Sequence, residues 1–105
     1  MIFIETSVFT RQINKLISAA AYRELQNALV DDPKLGAVIP GTGGLRKARL
    51  AGSGRGKRGG IRVIYYRLPD RDWILMLLAY PKSEQDDLTA DQKRVLRKLV
   101  EEELK

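Results

Sequence analysis

The sequence predicts an α+β fold with the element order β-α-α-β-β-β-α, in which helices pack on one face of an antiparallel sheet. The middle of the chain holds three strand-like runs joined by short connections, which favours an antiparallel meander. The segments on either side repeat apolar residues at helical spacing, as helices that cover a sheet do. At 105 residues, the chain is expected to form one domain over residues 1–105.

The first third of the chain predicts one strand and two helices. Residues 2–5 form a short β-like run. Ser7 is the candidate N-cap of a first helix that ends between residues 15 and 17, and Ser18 is the candidate N-cap of a second helix over residues 19–31. Asp32-Pro33 ends the second helix, because proline cannot continue it. The side chains expected to face the core are Val8, Phe9, Ile13, Leu16 and Ile17 in the first helix and Tyr22, Leu25 and Leu29 in the second.

Three further runs predict the strands of the meander. Residues 45–51 predict a strand whose side chains alternate between its two faces, with Lys47 and Arg49 on the same face. A glycine-rich loop, GSGRGKRGG over residues 52–60, leads to residues 61–68, which are rich in β-branched and aromatic side chains. After a Pro-Asp-Arg turn, residues 72–80 are nearly all apolar, which is typical of a central strand buried on both faces.

The last segment predicts a helix that extends to about Glu103. Thr89 is followed three residues later by Gln92, which is the spacing of a capping box. The periodicity places Val95, Leu96, Leu99 and Val100 on the inward face.

The charge distribution predicts an anionic partner. Residues 33–69 contain nine lysines and arginines and no acidic residue, whereas the rest of the chain has a net charge of −3. All nine glycines lie in the same segment. Like charges repel and weaken the compact state, so a partner such as RNA or DNA that neutralises them is the simplest explanation.

The composition excludes several kinds of chemistry. The chain has no cysteine and no histidine, which removes disulfides, thiolate nucleophiles, the usual general base and the commonest metal ligand. The longest apolar run is far shorter than the roughly 20 residues that span a bilayer. The first residues do not resemble a signal peptide, so a cytoplasmic location is expected. The acidic residues Glu84, Asp86 and Asp87 are a weak candidate for a metal site and are more typical of a solvated lead-in to the last helix.

The glycine-rich loop matches two nucleotide-binding patterns only in part. Gly54, Gly56 and Gly59 satisfy G-x-G-x-x-G, but a strand follows where a dinucleotide site requires a helix. Lys57 is followed by Arg58 rather than by the Ser or Thr of a phosphate-binding P-loop. No cofactor is therefore expected.

The basic residues of the strands are candidates for one shared surface. Lys47 and Arg49 share a face, and Arg62 begins the next strand. Antiparallel pairing brings Arg62 close to them if the register places all three on the same face, and Lys82 follows the third strand at the same end. Further candidates for RNA or ribosome binding are Arg46, Arg55, Lys57, Arg58 and Tyr66, the tyrosine as a platform for base stacking. The alternative is that these are ordinary solvated charges and, for the tyrosine, a core residue.

The segments GTGGLRKARL, GKRGGIRVIYY and LLAYPKSEQDDLTADQ, in this order, resemble the RelE/HigB superfamily of type II toxins and are most similar to its HigB-type branch. The resemblance implies a small basic protein that cleaves mRNA on the ribosome and is held inactive by a cognate antitoxin. The basic positions of the family motif match Lys47, Arg49, Arg62 and Lys82. The chain has Ser83 where some members have a further arginine, and Thr89 where they have a catalytic tyrosine.

The reaction that this resemblance implies is attack of a ribose 2′-hydroxyl on the adjacent phosphodiester, without a metal. Arginine cannot act as the base, so Lys47 or Lys82 is the candidate, with Tyr80 a lesser one, while Arg49 and Arg62 stabilise charge on the phosphate. Two other functions stay open at this point: a ParE-like gyrase-inhibiting toxin and a non-catalytic RNA-binding or regulatory module.

Overall fold

The computed structural model describes residues 1–50 and 60–103. These residues form three α-helices and five β-strands, which confirms the α+β class. In chain order the elements are β1 (Ile2–Glu5), α1 (Ser7–Leu16), α2 (Ala19–Asp31), β2 (Ala37–Val38), β3 (Arg46–Leu50), β4 (Ile61–Leu68), β5 (Trp73–Pro81) and α3 (Ala90–Glu103). A single turn of 3₁₀-helix, Pro69–Arg71, occupies the predicted turn between β4 and β5.

Side-chain caps fix where the helices begin. Ser18 Oγ accepts a hydrogen bond from the Ala21 N–H at 3.1 Å, so the predicted cap of α2 is confirmed. The predicted cap of α1 is wrong by one residue: Thr6, not Ser7, is the N-cap, and its Oγ1 accepts from the Phe9 N–H at 3.0 Å. Thr6 Oγ1 also donates to the Leu77 carbonyl at 2.9 Å, which anchors α1 on β5.

The sheet has the strand order β1-β5-β4-β3-β2. Strands β3, β4 and β5 form the predicted antiparallel meander. The sheet is nevertheless mixed, because β1 runs parallel to β5, to which the chain returns only after both helices and the other strands. The two-residue strand β2, which the sequence did not predict, pairs with β3 at the opposite edge.

Helices cover both faces of the sheet, so the prediction that they pack on one face is wrong. The physical reason is that β4 and β5 are apolar on both sides, and each side needs a cover. One core lies under α1 and α2 and includes Phe9, Ile13, Leu25, Leu29, Val63, Tyr65 and Met76. The other lies under α3 and includes Leu45, Ile64, Leu75, Leu77, Tyr80, Leu96 and Val100.

Helix α3 begins with the predicted capping box and buries a narrow stripe. The Thr89 N–H donates to Gln92 Oε1 at 3.0 Å, and the Gln92 N–H donates to Thr89 Oγ1 at 3.1 Å. Leu96 and Val100 are buried as predicted. Val95 and Leu99 are not, with exposed fractions of 58% and 39%, because α3 meets the sheet along one row of side chains only.

None of the helices in residues 1–50 and 60–103 combines the length and the hydropathy of a membrane span.

Candidate active site

Three side chains form a row across the meander on the face that α3 covers. In the register of the sheet, Arg62 of β4 lies directly opposite Arg49 of β3 on one side and Tyr80 of β5 on the other. Directly opposite residues of antiparallel strands point to the same face, with Cβ atoms about 4.5–5.5 Å apart. Two arginines in such a pair repel each other, so this position is costly for the fold and suited to an anion.

A β-bulge in β5 decides where Tyr80 points. The register shifts between Ile64, which faces Leu78, and Tyr65, which faces Met76, so that Leu77 is the extra residue. Met76 contributes to the core under α1 and α2, whereas Tyr80, four residues later, contributes to the core under α3. Without the bulge, simple alternation would place both on the same face. The bulge therefore places the Tyr80 ring beside Arg62.

Lys47 lies beside this row. It precedes Arg49 by two residues on β3 and lies on the same face of the strand. Lys47 and Arg49 line an open cavity of about 420 Å³ together with Lys93 of α3 and Asp87. We call Lys47, Arg49, Arg62 and Lys93 the cationic patch. Sequence reasoning did not include Lys93, although its place one turn into α3, four residues after the cap Thr89, is a signal that it lies close to this end of the sheet.

Two consecutive carboxylates from the segment between β5 and α3 contact the cationic patch. Lys47 Nζ lies 2.9 Å from Asp87 Oδ1, and Arg62 Nε lies 3.6 Å from Asp86 Oδ1. The hydrogen bond and charge of Lys47 lower the pKa of Asp87 below its ordinary value. These acids lie in the solvated lead-in to the last helix, as the sequence favoured, and they are in addition partners of the cations. Nowhere in the described parts of the chain do three or more possible metal ligands come together.

The environment of Tyr80 favours its neutral form. Its side chain is buried, and its hydroxyl donates to the Asp86 carbonyl at 3.1 Å. Burial, assisted by the charge of Asp87, raises the pKa of Tyr80 to about 12. A phenol with this pKa keeps its proton near neutral pH, which argues against Tyr80 as a general base and gives it a role in holding the Asp86 backbone.

Lys82 follows β5 at the end of the sheet where β4 begins. Its backbone N–H donates to the Gly60 carbonyl at 3.0 Å. Because Gly60 directly precedes Ile61, this hydrogen bond ties the end of β5 to the start of β4, two residues before Arg62. The Lys82 side chain is exposed. In residues 1–50 and 60–103 no ion pair involves Lys82 or Arg49, so both remain open to an added anion.

Two of the predicted RNA-binding residues lie away from the cationic patch. Arg46 pairs with Tyr65 in the register and therefore lies on the opposite face from Lys47, where its guanidinium donates to the Gly36 carbonyl at 2.7 Å. Tyr66 is half-buried on the face of α3, but four residues along the strand from Arg62, or about 13 Å. Arg46 therefore fastens the segment before β2, and Tyr66 lies at the far end of the sheet.

Three predicted residues and one departure from the family motif remain. Arg55, Lys57 and Arg58 of the glycine-rich loop lie outside the described residues. Thr89, which stands where the resemblance implies a catalytic tyrosine in some relatives, has its hydroxyl in the capping box of α3.

A known protein family matches almost the whole chain. The model of the RelE toxin of the RelE/RelB toxin–antitoxin system matches residues 6–105. The chain belongs to the RelE toxin family. Membership of a toxin–antitoxin family implies an antitoxin partner. The match is to RelE as a whole, so assignment to the HigB-type branch stays a prediction.

A solved structure of a RelE toxin has the same fold. A double arginine-to-alanine mutant of the E. coli toxin RelE in the free state superposes with a TM-score of 0.57 at 13% sequence identity. The match covers 81% of this RelE-family chain and 86% of the E. coli chain. At this identity the likeness concerns the fold, and the roles of individual residues rest on the geometry described above.

Proposed function

We propose that this RelE-family toxin is a ribosome-dependent mRNA endonuclease that inhibits translation and needs no metal. The observation that carries the proposal is the row of Arg49 and Arg62, directly opposite each other on one face, with Lys47 beside them. A like-charge pair at this position weakens the sheet unless an anion is bound there. A scissile phosphate of RNA is an anion of the right size and charge for two arginines.

The reaction is an internal transfer of the phosphate. The ribose 2′-oxygen attacks phosphorus, the bond from phosphorus to the 5′-oxygen breaks, and the products are a 2′,3′-cyclic phosphate and a free 5′-hydroxyl. One proton leaves the 2′-hydroxyl for a base, and one reaches the departing 5′-oxygen from an acid. Arg49 and Arg62 stabilise the additional negative charge that builds up on the phosphate oxygens in the transition state.

Lys47 and Lys82 remain the two candidates for the base. A lysine takes a proton only as the neutral amine, and Lys47 is held at 2.9 Å by Asp87 as the cation of an ion pair, so it has to leave that carboxylate and give up a proton before it can take the 2′ proton. Lys82 is exposed at the end of the sheet nearest Arg62 and is not held in this way by any described residue. A site with neither histidine nor metal is a weak proton-transfer catalyst, and the ribosome would compensate by positioning the mRNA.

The remaining partners follow from the same surface. The loop residues Arg55, Lys57 and Arg58 would bind the backbone of mRNA or ribosomal RNA. A cognate antitoxin would prevent growth arrest, and the toxin would act in the cytoplasm, where translated mRNA is found.

The proposal is tested by inducing the protein in bacterial cells and mapping the 5′ ends of ribosome-bound transcripts. We expect growth arrest, new mRNA ends within coding regions and relief by an antitoxin encoded next to the toxin. Growth arrest with a DNA-damage response and intact mRNA would contradict the proposal and support the gyrase-inhibiting alternative. RNA binding that falls smoothly with salt, with neither arrest nor cleavage, would support a non-catalytic module.

A further inference from the structure

Arg62 is buried, which is unusual for a residue that is to hold a substrate. Its exposed fraction is 3%, and its Nε lies 3.6 Å from Asp86 Oδ1. An RNA phosphate that binds at this Nε has to displace the Asp86 carboxylate.

The neighbouring carboxylate is placed in the same manner. Asp87 lies 2.9 Å from Lys47 Nζ and is itself largely exposed, with 81% of its side chain open to solvent. The backbone of both acids is held in place: the Tyr80 hydroxyl donates to the Asp86 carbonyl at 3.1 Å, and the Gln85 side chain donates to the Asp87 carbonyl at 2.9 Å. Leu88, the next residue, is buried in the core under α3. The two carboxylates are therefore set over two different cations by a fixed backbone.

We propose that Asp86 and Asp87, the acidic cap, are specificity-determining residues that compete with RNA phosphate for Arg62 and Lys47. The inference rests on the proposed function, because it concerns the same cationic patch. Each carboxylate lies against a cation that a phosphate oxygen would also contact. Because both side chains are more than half exposed, they exchange a cation for water easily, so a well-positioned substrate displaces them. A free RNA strand, which the protein must also immobilise, competes with them less well. The acidic cap thus lowers the affinity for any RNA, and only an RNA that is already held in place binds strongly enough to overcome it.

The experiment measures the binding of a single-stranded RNA oligonucleotide in which every 2′-hydroxyl is methylated, so that it cannot be cleaved. Fluorescence anisotropy at one fixed salt concentration compares the full-length protein with its Asp86→Asn and Asp87→Asn variants. The matched control is Glu84→Gln. Glu84 is an exposed acid of the same segment, makes no ion pair within the described residues, and its loss changes the net charge by the same amount.

We expect each acidic-cap variant to bind the oligonucleotide roughly twofold to fivefold more tightly than the Glu84→Gln control, as the loss of one competing ion pair implies. The gain of Asp87→Asn should disappear when Lys47 is also replaced by Met, whereas that of Asp86→Asn should remain. Affinities equal to that of Glu84→Gln would show a net-charge effect and overturn the proposal. Weaker binding would also overturn it, because it would mean that the carboxylates hold the cations in position for RNA.

A second readout separates this inference from the proposed function. Cleavage of mRNA by the wild-type protein is measured in a translation extract. Cleavage by the wild type together with unchanged oligonucleotide affinity in the variants would refute the role of the acidic cap and support the proposed nuclease function. Tighter binding by the variants with no cleavage by the wild type would support the role of the acidic cap and refute the nuclease function. If none of the proteins binds the oligonucleotide, the acidic cap is refuted. Unfolding curves in urea identify any variant that does not fold, and Asp86→Ser and Asp87→Ser then take its place.

Discussion

Replacing Arg62 by methionine should lower the rate of mRNA cleavage by at least about 100-fold and leave the fold intact. Methionine keeps an unbranched apolar side chain in a position that is 3% exposed, so the core under α3 retains most of its packing. One partner that loses its cation, Asp86, has 55% of its side chain exposed and is solvated by water instead. The substitution also removes the repulsion between Arg62 and Arg49, which is worth about 0.2–1 kcal/mol. We therefore expect the free energy of unfolding to change by no more than about 1–2 kcal/mol.

The expected effect on the reaction is much larger. Removing one preorganised group that stabilises the charge of a transition state costs about 10²–10³ in rate, or about 2.7–4 kcal/mol. A difference of this size is easily separated from the small change in stability. Almost all of the variant remains folded in the assay if the wild type has an ordinary stability of about 5–15 kcal/mol.

The matched control is Arg67→Met. Arg67 lies on the same strand, and its guanidinium is 3.6 Å from Asp72 Oδ1, the same separation as that between Arg62 and Asp86. Strand alternation places it on the opposite face, away from the cationic patch. The control therefore removes an arginine and breaks an ion pair in the same strand without touching the proposed site.

The assay compares purified full-length proteins in a translation extract, with primer extension to measure the initial rate of mRNA cleavage and urea unfolding to measure stability. We expect Arg67→Met to cleave within about twofold of the wild type and Arg62→Met to lose at least about 100-fold. Cleavage by Arg62→Met within tenfold of the wild type would refute the role assigned to the buried arginine. An equal loss in both variants would show that the effect comes from the strand and not from the site.

Three further predictions concern stability. Tyr65→Phe should lower the free energy of unfolding, measured in urea, by about 2–4 kcal/mol. The Tyr65 hydroxyl donates to the Pro33 carbonyl and accepts from the Gly36 N–H, both at 2.9 Å, and the variant leaves these two groups unsatisfied. A change below about 0.5 kcal/mol would contradict this. Thr89→Ala should cost about 1 kcal/mol through loss of the cap of α3 and leave mRNA cleavage within about twofold of the wild type, whereas a loss of activity without a loss of stability would give Thr89 a role in the reaction. Burial raises the pKa of Tyr80 to about 12 from an ordinary value of 10.0, so the stability that this residue contributes is complete below pH 10 and is lost as the pH rises towards 12. Urea unfolding between pH 8 and pH 11.5 should show this fall in the free energy of unfolding. An equally steep fall in Tyr80→Phe would assign the effect to other groups.

Local patterns were sufficient to predict most of the elements. A cap depends on residues three apart, so Ser18 and the pair Thr89 and Gln92 are visible in the sequence and are confirmed. The strand β4 is predicted with its observed bounds because β-branched and aromatic residues prefer a pleated, half-buried surface. The cap of α1 was misplaced by one residue because Thr6 and Ser7 have the same chemistry, and only the contact of Thr6 with β5 distinguishes them.

The sequence by itself determined that Lys47 and Arg49 share a face, because side chains alternate along a strand whatever it pairs with. Only the tertiary structure decided that Tyr80 joins Arg62 on that face. The bulge that turns Tyr80 lies where Thr6, 71 residues away along the chain, binds the Leu77 carbonyl. The structure also decided that α3 closes the second face of the sheet and that Asp86 and Asp87 lie against cations from two other strands. Sequence periodicity depends only on residues that are close along the chain, whereas strand register and ion pairs depend on residues that become neighbours only when the chain has folded.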